Sequence, residues 1–296
     1  MTEPLNLREF MVLSRRTLAE DIEEFTLVAV DGGALTPFSP GAHVTLRTPS
    51  GAMRRYSLVN DGAEPESYVL AIKREGESRG GSQSMHEDAI PGTVLEVGTP
   101  ENDFPLVAAS RYILIAGGIG ITPIQAMARH LSEQGKSFEL VYCTRSAAQT
   151  AYLDDIRALP GKVTIHHDEG QPDGHFDFWD LLGTPTNAHV YCCGPAPLMD
   201  EVKAQTGHWP EGRVHFEDFK PVEIVRAVYD RFPAVKEQWA RFGQQPIAHY
   251  VYSSHNIIGT FPIEKFEDVQ GRKTGAAGVG GNFFTDTGAT AVHGNL

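Results

Sequence analysis

Over the first hundred residues, apolar and polar positions alternate in short runs. Segments 10–14, 22–30, 42–47, 55–58, 67–73 and 94–97 alternate or are β-branched, and Gly/Pro/Asp clusters at 31–41, 50–51, 60–65 and 91–92 separate them. Short strands at that spacing predict an antiparallel barrel or sandwich. From residue 110 the rhythm changes. An apolar strand at 112–116 precedes a helical stretch at 124–134, and a strand at 138–143 precedes a helix at 150–159. A strand at 162–166, a helix near 176–182, a strand at 188–192 and a helix at 197–205 follow. Strand alternating with helix predicts a parallel sheet with crossover helices. A last strand over 213–219 runs into Pro221. The expected order is therefore a β-barrel domain, residues 1–107, an α/β domain, residues 108–220, and a segment of unknown fold, residues 221–296.

Composition changes this picture little. The chain has 296 residues, 41% hydrophobic and 21% charged, enough for two medium domains with ordinary cores. With 25 basic and 38 acidic side chains the formal net charge is -13. Residues 221–296 carry seven of each sign, so the whole deficit lies upstream. That charge disfavours a nucleic-acid partner, whose phosphates call for concentrated Lys and Arg. The longest apolar run, around 113–121, is too short for a bilayer and is broken by glycines, so no membrane association is expected. Met1-Thr2-Glu3-Pro4 lacks a secretory pattern, and three cysteines form no disulfide framework; a reducing cytoplasm is expected.

Arg54-Arg55-Tyr56-Ser57-Leu58 places a fixed cation, a flat aromatic and a hydroxyl on one strand. Alternation turns Arg54 and Tyr56 one way and Ser57 the other. Alone, an edge strand with solvated arginines explains it as well. A second stretch, Lys73-Arg74-Glu75-Gly76-Glu77-Ser78-Arg79-Gly80-Gly81-Ser82, leads from a strand into a helix expected over 83–89. The glycines admit a ligand to the backbone, Ser82 is expected to cap the helix, and the helix N-terminus attracts an anion.

In the second domain, Tyr112-Ile-Leu-Ile-Ala-Gly117-Gly118-Ile119-Gly120-Ile121-Thr122-Pro123 reads as a buried strand, a glycine turn and a helix start. Such a turn lets a pyrophosphate approach the helix dipole, with Thr122 as N-cap and Pro123 as first helical residue. A strand ending at Thr144-Arg145-Ser146 would lie beside the adenosine half of a nucleotide. No acidic residue stands at its tip for the ribose hydroxyls, and Arg145 either tolerates a 2′-phosphate or covers the adenine, so the residues leave NADPH open beside NADH.

Taken together, the Arg54-x-Tyr56-Ser57-Leu58 and Ser78-Arg79-Gly80-Gly81-Ser82 stretches resemble the flavin domain of the phthalate dioxygenase reductase family, within the ferredoxin reductase superfamily. Gly117-Gly118-x-Gly120-x-Thr122-Pro123 and Cys193-Gly194-Pro195 resemble that superfamily's nicotinamide-nucleotide site. Asn102-Asp103-Phe104-Pro105-Leu106 also matches the segment leading out of the barrel. The resemblance implies FMN as cofactor, with Arg54, Gly81 and Ser82 on its phosphate and Lys73, Arg79 and Gly80 close by. It also implies Tyr56 along the ring, Leu58 in the same strand, and Ser57 near the reactive nitrogen. It implies NADH as electron donor, with Cys193 near the nicotinamide and Phe219 covering the flavin. Ser57 and Cys193 would then be the catalytic residues.

Other clusters have plainer readings. Cys192 suits a buried strand end, His86 a surface position, and His166-His167-Asp168-Glu169 a polar strand end rather than a metal site, since neighbours on a strand face opposite ways. No metal site is expected. Members of the family continue into a ferredoxin domain whose four cysteines bind a 2Fe–2S cluster. This sequence has no cysteine after Cys193, so no intrinsic cluster is expected and the resemblance stops near residue 220. Beyond it, Val225, Val228, Tyr229, Phe232, Val235, Trp239 and Phe242 follow helical spacing, 245–261 suits two short strands, and 271–296 reads as flexible. By resemblance the chain passes electrons to a redox partner, an oxygenase component or a separate ferredoxin, in a Rieske-type aromatic oxygenase or O-demethylase system. Two rivals stand beside it: a diaphorase reducing free flavin, quinone or ferric chelates, and a nucleotide-binding docking scaffold with no catalysis.

Overall fold

The computed structural model describes residues 6–76, 80–171 and 174–217, together with two short strands at 273–275 and 290–292. The chain divides into two compact units, Met1–Phe219 and Lys220–Leu296. In the second, the described residues form one parallel pair, β12 (Lys273–Gly275) beside β13 (Thr290–Val292). Both fall within 271–296, expected to be flexible; parallel pairing fixes these six residues instead. Arg79, Phe219, the apolar stripe from Val225 to Phe242 and the strands expected over 245–261 lie outside the described residues.

The first unit opens with strands β1 (Leu7–Ala19), β2 (Ile22–Ala29), β3 (His43–Arg47), β4 (Met53–Ser57), β5 (Tyr68–Lys73) and β6 (Val94–Gly98), with helix α1 (Gly81–Asp88) between the last two. They pair antiparallel in the order β4-β3-β6-β1-β2-β5. A bridge between Leu58 and Leu70 joins the two edge strands, which turns the sheet into a barrel and removes its open edge. The inward positions, among them Phe10, Val12, Phe25, Leu27, Val44, Leu46 and Leu70, make one apolar core. Alternation puts His43, Arg55 and Ser57 on the opposite, outward face of β3 and β4.

The second half of this unit runs β7 (Tyr112–Gly117), α2 (Ile121–Glu133), β8 (Phe138–Thr144), α3 (Leu153–Arg157), β9 (Lys162–His167), α4 (Trp179–Leu182), β10 (His189–Cys193), α5 (Ala196–Thr206) and β11 (Val214–Glu217). The sheet is parallel, in the order β11-β10-β7-β8-β9. Every residue of β7 is buried, as a central strand covered on both faces requires. The chain winds from β7 out to β9, then returns to the other flank of β7 as β10. That reversal makes the carboxyl ends of β7 and β10 the topological switch point, where open α/β sheets form their ligand crevice. The expected architecture, a barrel followed by a parallel α/β sheet, is the one observed.

A shared core joins the two halves. Ile22, Val59 and Ala71 of the barrel belong to the same buried cluster as Ile121, Ile124, Met127 and Tyr152. Hydrogen bonds from Glu20 N to Ala148 O (2.8 Å) and from Tyr152 OH to Glu24 Oε2 (2.8 Å) cross the same boundary. Strand β5 packs against the 3-10 turn Gly118–Gly120 and leads at its far end toward α1.

Three local expectations need correction. Helix α2 starts at Ile121, directly from the 3-10 turn, with Gly120 at its N-cap. Thr122 therefore sits inside the helix, where its hydroxyl donates to Ile119 O (3.0 Å) instead of capping. Pro123 is still harmless there, since the first four helical N–H groups have no partner within the helix. Helix α1 likewise starts two residues early, behind Gly80 at φ 85, and Ser82 accepts a hydrogen bond from Glu75 N (3.1 Å) rather than capping it. His86 is buried, not on the surface: its Nε2 meets Ile72 O at 2.9 Å and its Nδ1 lies 3.5 Å from Glu23. A short polar helix laid against β5 buries the face its sequence leaves unmarked.

The turns at the switch point are packed backbone against backbone. A Cβ on Gly120 would stand 2.2 Å from Cys193 O, and one on Gly194 would stand 3.0 Å from the Gly117 backbone. Gly118 differs, with φ +52 and open space around its Cα. We expect Gly120→Ala to cost about 2–3 kcal/mol through overpacking, against about 1 kcal/mol of left-handed strain for Gly118→Ala. Urea denaturation measures both; equal losses would contradict this division of roles.

Candidate active site

The parallel ladder sets Ala116, Cys193 and Glu217 level with one another across β7, β10 and β11, at the carboxyl edge of the sheet. Gly117-Gly118 and Gly194-Pro195 leave that edge from the two sides of the switch point. Pro195 caps α5 in an extended conformation, and Gly117 lies so close to it that a Cβ would meet Pro195 Cδ at 2.7 Å. Cys193 is fully buried in the core shared with the barrel, whereas Cys192 faces the opposite core with Ile115, Val190 and Met199. Burial pushes the Cys192 thiol up to about 12 and the Cys143 thiol to about 12, so both are inert at neutral pH.

At the tip of β8, Thr144 has committed its hydroxyl: Oγ1 lies 2.8 Å from both Thr150 Oγ1 and His167 Nδ1. The Ser146 carbonyl accepts from Thr150 at 2.8 Å, and Arg145 between them is exposed. His166 and His167 turn to opposite sides, His166 Nε2 meeting Gly174 O at 2.6 Å. Among the described residues no three His, Cys, Asp or Glu side chains converge as metal ligands.

In the barrel, Arg54 lies over the start of α1. Its Nε is 2.8 Å from where a Cβ on Gly81 would stand, and its Nη1 donates to Met53 O (2.8 Å). Gly80 and Gly81 thus present bare backbone beneath a guanidinium, with Ser82 one residue further into the helix. Tyr56 packs against the barrel core and Leu58 is part of it; the Leu58 N–H is taken by Ala42 O (2.9 Å). Lys73 is exposed and paired with Glu75 at 3.5 Å.

Four buried polar atoms of β3, β4 and β11 have no hydrogen-bond partner: Tyr56 OH on the inward side of β4, Ser57 Oγ and His43 Nε2 on the outward side of β4 and β3, and Glu217 Oε2. Leaving such atoms unmatched costs roughly 1–3 kcal/mol each, so a set of them in one region marks the place of a polar ligand. Burial lifts the Tyr56 phenol to about 12, which keeps it a neutral donor. Neighbouring Arg55 gathers the acidic residues: Nη1 is 3.1 Å from Asp103 and Nη2 is 3.9 Å from Glu101. The same Asp103 and Arg55 act on Glu217. Burial chiefly, then Asp103, raises its carboxyl to about 8, while Arg55 opposes them. The outer face of β4 and the carboxyl edge of the parallel sheet therefore meet at Arg55 and Glu217. Arg54 lies beside Gly81, and Gly120 beside Cys193. His43, Arg55 and Glu217 were missed as site residues; only Glu217 carried a signal, as the end of the last strand.

The Arg54 guanidinium over glycine backbone and the unmatched hydroxyls of Tyr56 and Ser57 fit a phosphate-bearing flavin. The raised Glu217 carboxyl also has a consequence for stability. A folded-state value above the ordinary 4.5 contributes stability that is complete below pH 4.5 and lost as pH rises through about 8. Melting temperatures of the flavin-depleted protein should fall between pH 5 and 9 more steeply than those of Glu217→Gln; parallel curves would show the carboxyl ionised throughout.

Comparison with known proteins agrees with this geometry. The family described as oxidoreductase NAD-binding domain matches residues 114–204. The phthalate dioxygenase reductase of Burkholderia cepacia is 47% identical over 213 residues, 70% of this chain and 66% of its own length. The vanillate O-demethylase oxidoreductase of Pseudomonas putida is 41% identical over 220 residues, 72% of this chain and 69% of its own. A solved structure of phthalate dioxygenase reductase, presented as a modular structure for electron transfer from pyridine nucleotides to a 2Fe–2S centre, superposes with a TM-score of 0.69 at 45% identity. It covers 72% of this chain and 68% of that one. This chain thus spans about two thirds of the length of these relatives. The chain belongs to the phthalate dioxygenase reductase family.

Proposed function

We propose that this chain is the flavin-dependent reductase of an oxygenase or O-demethylase system, oxidising NADH, or NADPH, and passing the electrons to a redox partner protein. Residues 1–107 form the flavin module and residues 108–220 the nucleotide module. The observation that carries this reading is Arg54 held over Gly81, with the unmatched hydroxyls of Tyr56 and Ser57 next along the same strand. Relatives named as reductases of dioxygenase and O-demethylase systems support the class of partner.

In this reading Arg54, Gly80, Gly81 and Ser82 hold the cofactor's phosphate, with Lys73 and Arg79 adding positive charge. The Ser78-Arg79-Gly80-Gly81-Ser82 run favours FMN over FAD. Tyr56 would lie along the ring and Ser57 would hydrogen-bond its edge, with Leu58 behind them; Phe219, which the resemblance assigns to the ring, lies outside the described residues. Gly117, Gly118 and Gly120 admit the nucleotide's pyrophosphate at the start of α2, where Thr122 and Pro123 shape the first turn. Thr144, Arg145 and Ser146 border the adenosine half. Cys193, with Gly194 and Pro195 behind it, positions the nicotinamide. The flavin, when bound, supplies the chemistry that takes two electrons together and yields them singly. The protein contributes alignment and a dry site, and proximity of this kind is worth up to about 7–11 kcal/mol in well-oriented systems. A diaphorase is the second reading, in which residues 194–296, which hold no cysteine, carry no cluster of their own.

The deciding experiment is an anaerobic absorption spectrum of the purified protein. Yellow colour bleached by NADH supports the reductase, and a protein that refuses FMN sinks it. Dye reduction that gains nothing from any added ferredoxin selects the diaphorase. Arg54→Ala should weaken FMN retention about 10- to 100-fold, the loss of a charge-assisted contact of roughly 1.5–3 kcal/mol. Unchanged flavin content after dialysis would remove Arg54 from the phosphate site. Cys193→Ala should slow bleaching by NADH more than it weakens nucleotide binding; an equal loss in both would reject its placement.

A further inference from the structure

Tyr142 is wholly buried in the core shared with the barrel, in the same cluster as Ile121, Ile124 and Tyr152. On the parallel ladder it stands level with Ala116, and so in the same row as Cys193 and Glu217. From there its OH donates to the Gly118 carbonyl at 3.2 Å. A buried phenol calls for a hydrogen-bond partner, and a carbonyl anywhere in the core would satisfy it. The one it meets belongs to the left-handed glycine at the switch point, at φ +52.

That choice of partner has a consequence, because a trans peptide is planar and its C=O and N–H point opposite ways. Holding Gly118 O toward Tyr142 turns the Ile119 N–H away from the buried core. The next peptide is held in the same manner: Thr122 Oγ1 donates to Ile119 O at 3.0 Å, so the Gly120 N–H points away from that hydroxyl. The Ile121 N–H is directed at both carbonyls from the start of the helix. A left-handed residue followed by right-handed ones gathers successive N–H groups into a concave nest, a shape that binds anions. Gly118 followed by its 3-10 turn has that order of conformations. Glycine permits such a nest without fixing it, since its φ reverses sign at little cost. Fixing it takes a bond from outside the turn, and among the described residues Tyr142 supplies one from a neighbouring strand.

We propose that Tyr142 is a positioning residue for the nucleotide: its hydroxyl holds the Gly118–Ile119 peptide with the Ile119 N–H turned to the pyrophosphate. The inference rests on the reading of residues 108–220 as the nucleotide module. Tyr142 itself touches no substrate and acts through the peptide alone. Burial raises its phenol above the ordinary 10, and a backbone hydrogen bond at Ala151 offsets this only in part, so it is a neutral donor at pH 7. A tyrosine that only filled the core would behave otherwise: losing its hydroxyl would lower stability and leave nucleotide affinity unchanged.

Tyr142→Phe keeps the ring and removes the bond. In the flavin-loaded protein, the NADH concentration that gives half the maximal anaerobic bleaching rate should rise about fivefold, the loss of one hydrogen bond. The limiting rate at saturating NADH and the flavin content should stay as in the wild type. ADP, which carries a pyrophosphate group, should compete with NADH about fivefold less well in the variant. Adenosine, which carries none, should compete equally in both. An unchanged half-saturation, a fall in the limiting rate alone, or equal weakening of ADP and adenosine would overturn the proposal. Should the variant fail to fold, the ¹⁵N spectrum of the wild type decides: the Ile119 amide should shift on adding ADP, and a stationary signal would also reject it. If NADH does not bleach the wild type, the reductase reading falls and this inference with it.

Discussion

The parallel pairing of Ala116 with Cys193 holds two strand ends level, and the rest of the site follows from it. Each strand must turn away at once, and the turns have to pass within van der Waals contact of one another. A methyl on Gly120 would overlap the Cys193 carbonyl, so the approach is open only to glycine. Closeness there has a use at the adjoining position. With Gly117, Gly120 and Gly194 filling the space between the turns, Gly118 alone faces outward in the left-handed region, at the mouth of the crevice that the reversed strand order opens.

What joins the barrel to this crevice is mainly apolar. Ile22, Val59 and Ala71 share a core with Ile121, Ile124 and Met127, and burying a side chain of the size of Ile or Met contributes about 1.5–3 kcal/mol. The ion pairs of Arg55 with Asp103 and Glu101 are about half exposed, and such pairs contribute roughly 0–1 kcal/mol. They do not hold the halves together. Their effect is on Glu217 and His43, whose pKa values burial shifts first and these charges second.

The barrel was legible because its strands alternate one polar and one buried face, and the α/β half because its strands are continuously apolar. Helix starts were less so. Thr122 and Ser82 are good capping residues in isolation, yet both helices begin earlier, on glycines whose backbone is set by the turn before them. His86 misled for a related reason: the helix that carries it has too few apolar residues to reveal that one face lies on β5. The glycine turns at 80–81 and 117–120 were readable, since each depends on the turn residues themselves. Glu217 and His43 were not, because nothing local distinguishes a buried ionisable side chain from one in water; nor was exposed Arg55, whose importance lies in the distant Asp103 and Glu217 charges near it.

By itself the sequence determined which elements form, which faces of them are apolar, and where glycine, arginine and hydroxyl chemistry is concentrated; these are set by residues within a turn or two of one another. Only the tertiary structure decided that β10 returns beside β7 rather than beyond β9, that Leu58 bridges to Leu70 to close the barrel, and that Asp103 on the connecting segment and Arg55 on β4 both come near Glu217. Those outcomes depend on burial and on charges brought near from distant parts of the chain, and both exist only once the two halves have packed.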